Sequence, residues 1–201
     1  ANATVGHGLG AAPKVILTKD RDATQQWHCG FTEIGWDRTI LLDLTNAQSA
    51  SSPTFWNSTA PTSSVFSLGT SSGTNASGND FIAYCFAEVE GYSKFGSYTG
   101  NGSTDGPFVY CGFRPAWLMV KRTDSISSWR MWDDARRPNN VADATLLANG
   151  GNAELTGSNE NLDILSNGFK LRNLDSDQNA SGGTYIFAAF AEAPFKYSNA
   201  R

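Results

Sequence analysis

The chain has 201 residues, a net charge of −4, 40% hydrophobic and 17% charged residues. That balance excludes a disordered chain, which lacks the apolar mass for a core, and argues against a duplex nucleic-acid binder, which needs clustered cations. The longest apolar runs, residues 81–87 and 185–191, are far too short to span a bilayer, so neither nucleic acid nor membrane is an expected partner.

In chain order, residues 14–19 form the first short apolar run, bounded by Pro13 and by charge, and predict a strand. Residues 39–44 have the same look. Residues 80–87 follow an Asn75-Ala-Ser-Gly turn and are apolar on both faces, which predicts a central strand covered on both sides. Residues 95–106 are dense in turn formers and mark a boundary. Residues 116–121 repeat the signature of 14–19. Only residues 139–149 carry a helical pattern. Many short strands between Gly-rich turns predict an all-β fold.

The chain is also self-similar. Residues 75–88 and 179–192 begin with the same Asn-Ala-Ser-Gly and end with the same Phe-Ala-Glu. Phe66-Ser-Leu68 matches Phe169-Lys-Leu171, and Pro13, Lys19, Asp22 and Trp27 fall opposite Pro115, Lys121, Asp124 and Trp129. Such ordered matches predict two tandem, similar β-sandwich repeats of jelly-roll-like form, residues 1–96 and 97–201. Copy two has room for a first strand in the turn-rich stretch. Its counterpart in copy one would precede residue 1, which is the expectation for a fragment or for a domain that borrows a strand.

The repeat acts as an internal control on the chemistry. Cys29, Cys85 and Cys111 fall opposite Met131, Ala189 and Leu9, so all three thiols read as packing. His7 falls opposite Val109 and His28 opposite Arg130. No Cys-x-x-Cys or His-x-x-x-His spacing occurs, so no metal site is expected. Asp175, Asp177 and Asn179 alternate like a calcium loop but lack its glycine and closing carboxylate, and read as a polar turn. Lys19, Glu88, Lys121 and Glu192 are kept in both copies and predict structural ion pairs, Lys19 with Glu88 first. Asp133 and Asp134 are the weak case for a sugar-cleaving pair, since adjacent carboxylates point apart in a strand.

Trp27, Trp117 and Trp129 read as core. Three other tryptophans lie in copy-specific stretches with polar neighbours. Trp36, Arg38, Trp56 and Asn57 in copy one, and Arg130, Trp132, Asp133 and Arg136 in copy two, are therefore the candidate contact residues. Aromatic planes flanked by Arg, Asp or Asn suit stacking on sugar rings, and they serve protein interfaces equally well.

Residues 95–103 (Phe-Gly-Ser-Tyr-Thr-Gly-Asn-Gly-Ser), 112–122 (Gly-Phe-Arg-Pro-Ala-Trp-Leu-Met-Val-Lys-Arg), 165–171 and 179–185 resemble a repeat domain of tail fibres and related virion proteins of tailed bacteriophages, notably marine ones. Residues 7–13 are similar to that family's lead into its first long strand. The resemblance implies a β-sandwich in a virion appendage or on the capsid surface, a non-enzymatic structural role with adhesion to a host-surface glycan, and no cofactor. It implies other virion proteins as partners. Closed symmetric assembly makes a homotrimer the expected oligomer. A decoration protein with protein-only contacts and a glycan-cleaving enzyme are the alternatives.

Overall fold

The computed structural model describes residues 1–192. The last stretch of the expected second domain, 193–201, lies outside the described residues. The chain is all-β and divides into two compact units, Ala1–Ala87 and Glu88–Arg201. No helix among the described residues is long and apolar enough to cross a membrane.

Unit 1 holds β1 (Ala3–Gly6), β2 (Val15–Asp20), β3 (His28–Phe31), β4 (Ile40–Leu41), β5 (Val65–Leu68) and β6 (Phe81–Phe86), with a one-turn helix α1 (Ser72–Asn75). One antiparallel sheet has the order β4-β3-β2-β6, and β1 pairs with β5 in a second. Ile16 from the first sheet and Phe66 and Leu68 from the second meet Trp36 and Trp56 in the core. The Ser71 side chain caps α1 by accepting from the Gly73 amide.

Unit 2 holds β7 (Ser93–Thr99), β8 (Phe108–Tyr110), β9 (Trp117–Arg122), β10 (Arg130–Asp133), β11 (Ala144–Leu147), β12 (Leu155–Thr156), β13 (Leu162–Leu165), β14 (Gly168–Leu171) and β15 (Thr184–Phe190), with a one-turn helix α2 (Ser176–Asn179) capped by Asp175. Its larger sheet runs β12-β11-β10-β9-β15-β7 and its smaller one β13-β14-β8. Val109, Phe169 and Leu171 of the smaller sheet pack with Leu118, Val120, Trp132, Tyr185 and Phe187 of the larger.

The two units share strand registers. Lys19 lies opposite Ile82 across β2 and β6, and Lys121 opposite Ile186 across β9 and β15. Val5 lies opposite Phe66, and Val109 opposite Phe169. Val109 thus shares its pairing with Val5, not with the His7 that the ungapped sequence match sets opposite it. The ungapped match of Leu9 with Cys111 fails with it, because the loop after the first strand is longer in unit 1 (7–14) than in unit 2 (111–116).

Two sequence expectations are corrected. The helical pattern of 139–149 is overridden by pairing: β11 sits between β10 and β12, and buried Thr145 donates its hydroxyl to Glu160 at 2.6 Å. The apolar run in β6 does form a strand, but an edge strand, because only β2 pairs with it among the described residues.

Candidate functional site

The tryptophans proposed as contact planes are in the core. Trp56 and Trp132 are fully buried and Trp36 nearly so. Trp36 and Trp56 meet edge to face at 5.8 Å, and Trp132 donates its ring N–H to the Glu160 carbonyl at 2.9 Å. Apolar area outweighs the polar neighbours that suggested a surface: burying an indole stabilises far more than exposing it for stacking on a ligand.

Their polar companions other than Arg38 serve structure as well. Arg38 is half-buried. The half-buried Asn57 accepts from the Asn2 side chain at 2.7 Å. Arg130 is buried against Glu160 and also reaches Asp177 at 3.1 Å. Asp133 and Arg136 pair with each other at 2.5 Å, and Arg136 extends to Glu154 at 2.6 Å. Asp175 thus caps α2, and Asp177 balances Arg130. His28, which the sequence match sets opposite Arg130, lies in β3 of unit 1. It stacks on Phe55 at 5.3 Å and leaves no room for a side chain at Gly73, where a Cβ would collide with His28 Nε2. Burial pushes the His28 pKa down, with the Asp43 charge opposing.

Lys19 and Glu88 take partners other than each other. Lys19 Nζ donates to the carbonyls of Asp20 and Ala23, the latter at 3.1 Å. Lys121 Nζ, fully buried, donates to the Arg122 carbonyl at 2.9 Å, the same next-residue carbonyl that Lys19 uses. Glu88 pairs with Lys94 at 3.1 Å, and Glu192 is exposed just past β15. A lysine at a strand end thus satisfies turn carbonyls, which the sequence does not distinguish from pairing with a carboxylate.

The concavity that sequence reasoning missed lies in unit 2. A cleft of about 490 Å³ is lined by Glu88, Glu90, Ser93, Lys94, Tyr110 and Cys111, with Gly91 and Gly112. That volume is in the range of small-ligand sites. Tyr110, 64% exposed, offers a ring face, and exposed Phe108 stands two residues earlier on the same face of β8. Gly112 adopts φ +83° below the Tyr110 ring, a backbone that a side chain would strain. Glu88 is held in place, accepting from the Phe95 amide at 3.1 Å as well as pairing with Lys94. Ser93 Oγ accepts from the Val89 amide at 2.9 Å, which fixes the cleft wall.

The cleft offers one aromatic plane and a carboxylate–ammonium pair. Its thiol is held protonated: burial pushes Cys111 up to about 12, against the pull of the Lys94 charge. Cys29 is pushed still higher by burial, and half-buried Cys85 is raised for the same reason. The one signal in the sequence for this site was the alternation of Phe108 and Tyr110 about Val109, which places both rings on the outward face of a strand.

A family model described as a domain of unknown function (DUF7483) matches residues 1–194. No curated protein and no solved structure matches the chain.

Proposed function

We propose a function for this chain, which belongs to the DUF7483 family: it is a non-enzymatic structural protein of a virion appendage that binds a host-surface glycan. The observation that carries the reading is the Tyr110 cleft. A sugar ring stacks on the exposed phenol face, and its hydroxyls meet the fixed Glu88 and Lys94. The resemblance of residues 95–122 and 165–185 to phage tail-fibre repeats supports the virion setting. The shared registers of β2–β6 with β9–β15, and of β1–β5 with β8–β14, support two tandem β-sandwich repeats, one per unit. A scaffold used twice is how an extended appendage grows. A homotrimer is the assembly proposed for it.

Antibodies against the intact chain, imaged on virions whose genome encodes it, test this reading. Labelling of tail or capsid appendages is the expected result, and labelling of none contradicts it. Glu88 and Glu90 make hydrolysis the competing reading, since two carboxylates line one cleft. A polysaccharide turnover assay with the intact chain is expected to yield no product, and steady turnover that Glu88→Gln abolishes would overturn the non-enzymatic assignment.

A further inference from the structure

β6 is composed as a buried strand and stands at an edge. Its six residues, Phe-Ile-Ala-Tyr-Cys-Phe, include no charge and no proline, the devices that protect edges from pairing. Ile82 and Tyr84 are 36% and 46% exposed. Residues 81–85 have no second strand beside them among the described residues. By register their counterparts in β15 are Tyr185, Ile186, Phe187, Ala188 and Ala189, and all five are buried. The difference is β7, which pairs along β15 from Thr99 opposite Thr184 to Ser93 opposite Phe190.

Unit 1 also holds the seat of the residue that anchors β7. In unit 2, Tyr98 stacks on Tyr185 at 4.9 Å, meets Phe169 edge-on at 6.0 Å and donates its hydroxyl to the Gln178 carbonyl at 2.8 Å. The counterparts of those three residues are Phe81, Phe66 and Thr74. Together with Val5, Ala83 and Cys85 they line an open cleft of about 440 Å³. The direction of approach is fixed too. Asn179 Nδ2 donates to the carbonyls of Asn173 and Ser103, both at 2.8 Å, and Asn75 Nδ2 to those of Gly69 and Ala1, at 2.7 and 2.8 Å. Ala1 thus holds the place of Ser103, which follows β7 through Gly100-Asn-Gly102. Asn179 Oδ1 accepts from the Asn101 amide at 2.9 Å, while Asn75 Oδ1 has no partner among the described residues.

We infer that the outer edge of β6 and the cleft beside it accept an extended strand of the β7 type, presented in line with Ala1 and running antiparallel to β6, with a tyrosine seated between Phe81 and Phe66. A glycine of that strand lies opposite Ala83, as Gly96 lies opposite Phe187. The inference rests on the reading of the two units as copies of one fold. Main-chain bonds supply the pairing and the aromatic socket supplies the register, as in strand addition generally.

The test extends the full chain ahead of Ala1 with a second copy of residues 93–102 and reads amide hydrogen exchange residue by residue. Alternate β6 amides are expected to exchange at least about tenfold more slowly than in the unextended chain. Tyr98→Ala in the added copy alone removes that protection. Unchanged exchange along β6, with β15 protected as before, overturns the inference. So does a dimer of the unextended chain, paired β6 to β6, that the extension leaves intact. A crystal structure of the extended chain separates the two failures. Units that superpose while the added strand lies away from β6 sink only the docking site. Units that do not superpose sink the repeat itself.

Discussion

Arg130 grips both carboxylate oxygens of Glu160 through one guanidinium nitrogen, at 2.9 and 2.8 Å, with the two side chains 9% and 7% exposed. Thr145 at 2.6 Å and Gln178 at 3.3 Å complete the shell around Glu160. Removing the Glu160 charge leaves Arg130 only Asp177 at 3.1 Å and Asp175 at 4.0 Å, both more exposed than Glu160. Glu160→Gln is expected to cost about 1.5–3 kcal/mol in urea unfolding, the range for losing charge-assisted hydrogen bonds. A loss below about 1 kcal/mol would mean that Asp177 alone balances Arg130.

Trp132 caps the same network through its ring N–H. Trp132→Ala removes a fully buried indole and is expected to destabilise by roughly 3–5 kcal/mol. Trp56→Ala, in unit 1, has the same expected magnitude. Thermal melts of each variant check this. Unchanged melting would return both residues to the surface role that their polar neighbours suggested.

Tyr98 separates stacking from hydrogen bonding. Tyr98→Phe keeps the contact with Tyr185 and loses the bond to Gln178, for an expected cost of about 1 kcal/mol. Tyr98→Ala also loses the ring, for an expected cost of about 3–5 kcal/mol. Equal losses in the two variants would show that the hydroxyl alone holds β7.

Lys121 gives a pH signature. Burial pulls its pKa from 10.5 down to about 8, with the Asp177 charge opposing. Between those values the unfolded chain holds the proton and the folded chain has released it. The Lys121 contribution to stability therefore rises with pH across that window, by up to about 3 kcal/mol. The buried thiols push the other way, since they keep their protons when folded. The measurement is thus the difference in unfolding free energy between the native chain and Lys121→Met from pH 7 to 10.5. A difference that stays flat contradicts the depressed pKa.

Strand positions were legible in the sequence because their signals are local. Residues 14–19, 80–87 and 116–121 are apolar runs closed by charge or turn formers, and β2, β6 and β9 lie on them. The match of Lys19 with Lys121 and of Ile82 with Ile186 was legible as sequence similarity, but that each lysine lies opposite its isoleucine across paired strands was not. Nor were long-range partners. Glu160 offers no local hint that it sits under Arg130, thirty residues away, so Arg130 and Trp132 read as exposed when they are the two halves of a buried network. The Tyr110 cleft was hidden for the same reason. It joins residues 88–94 to residues 110–112, which only the fold brings together.

Glycan-array binding by the intact chain, compared with Tyr110→Ala, tests the adhesion claim most directly. Tyr110 is exposed, so its loss leaves the melting temperature unchanged. Saturable binding to a defined set of glycans, weakened about 5- to 30-fold in the variant, is the predicted result for a stacking contact of roughly 1–2 kcal/mol. Binding that Tyr110→Ala leaves intact, or no glycan bound at all, would contradict the account.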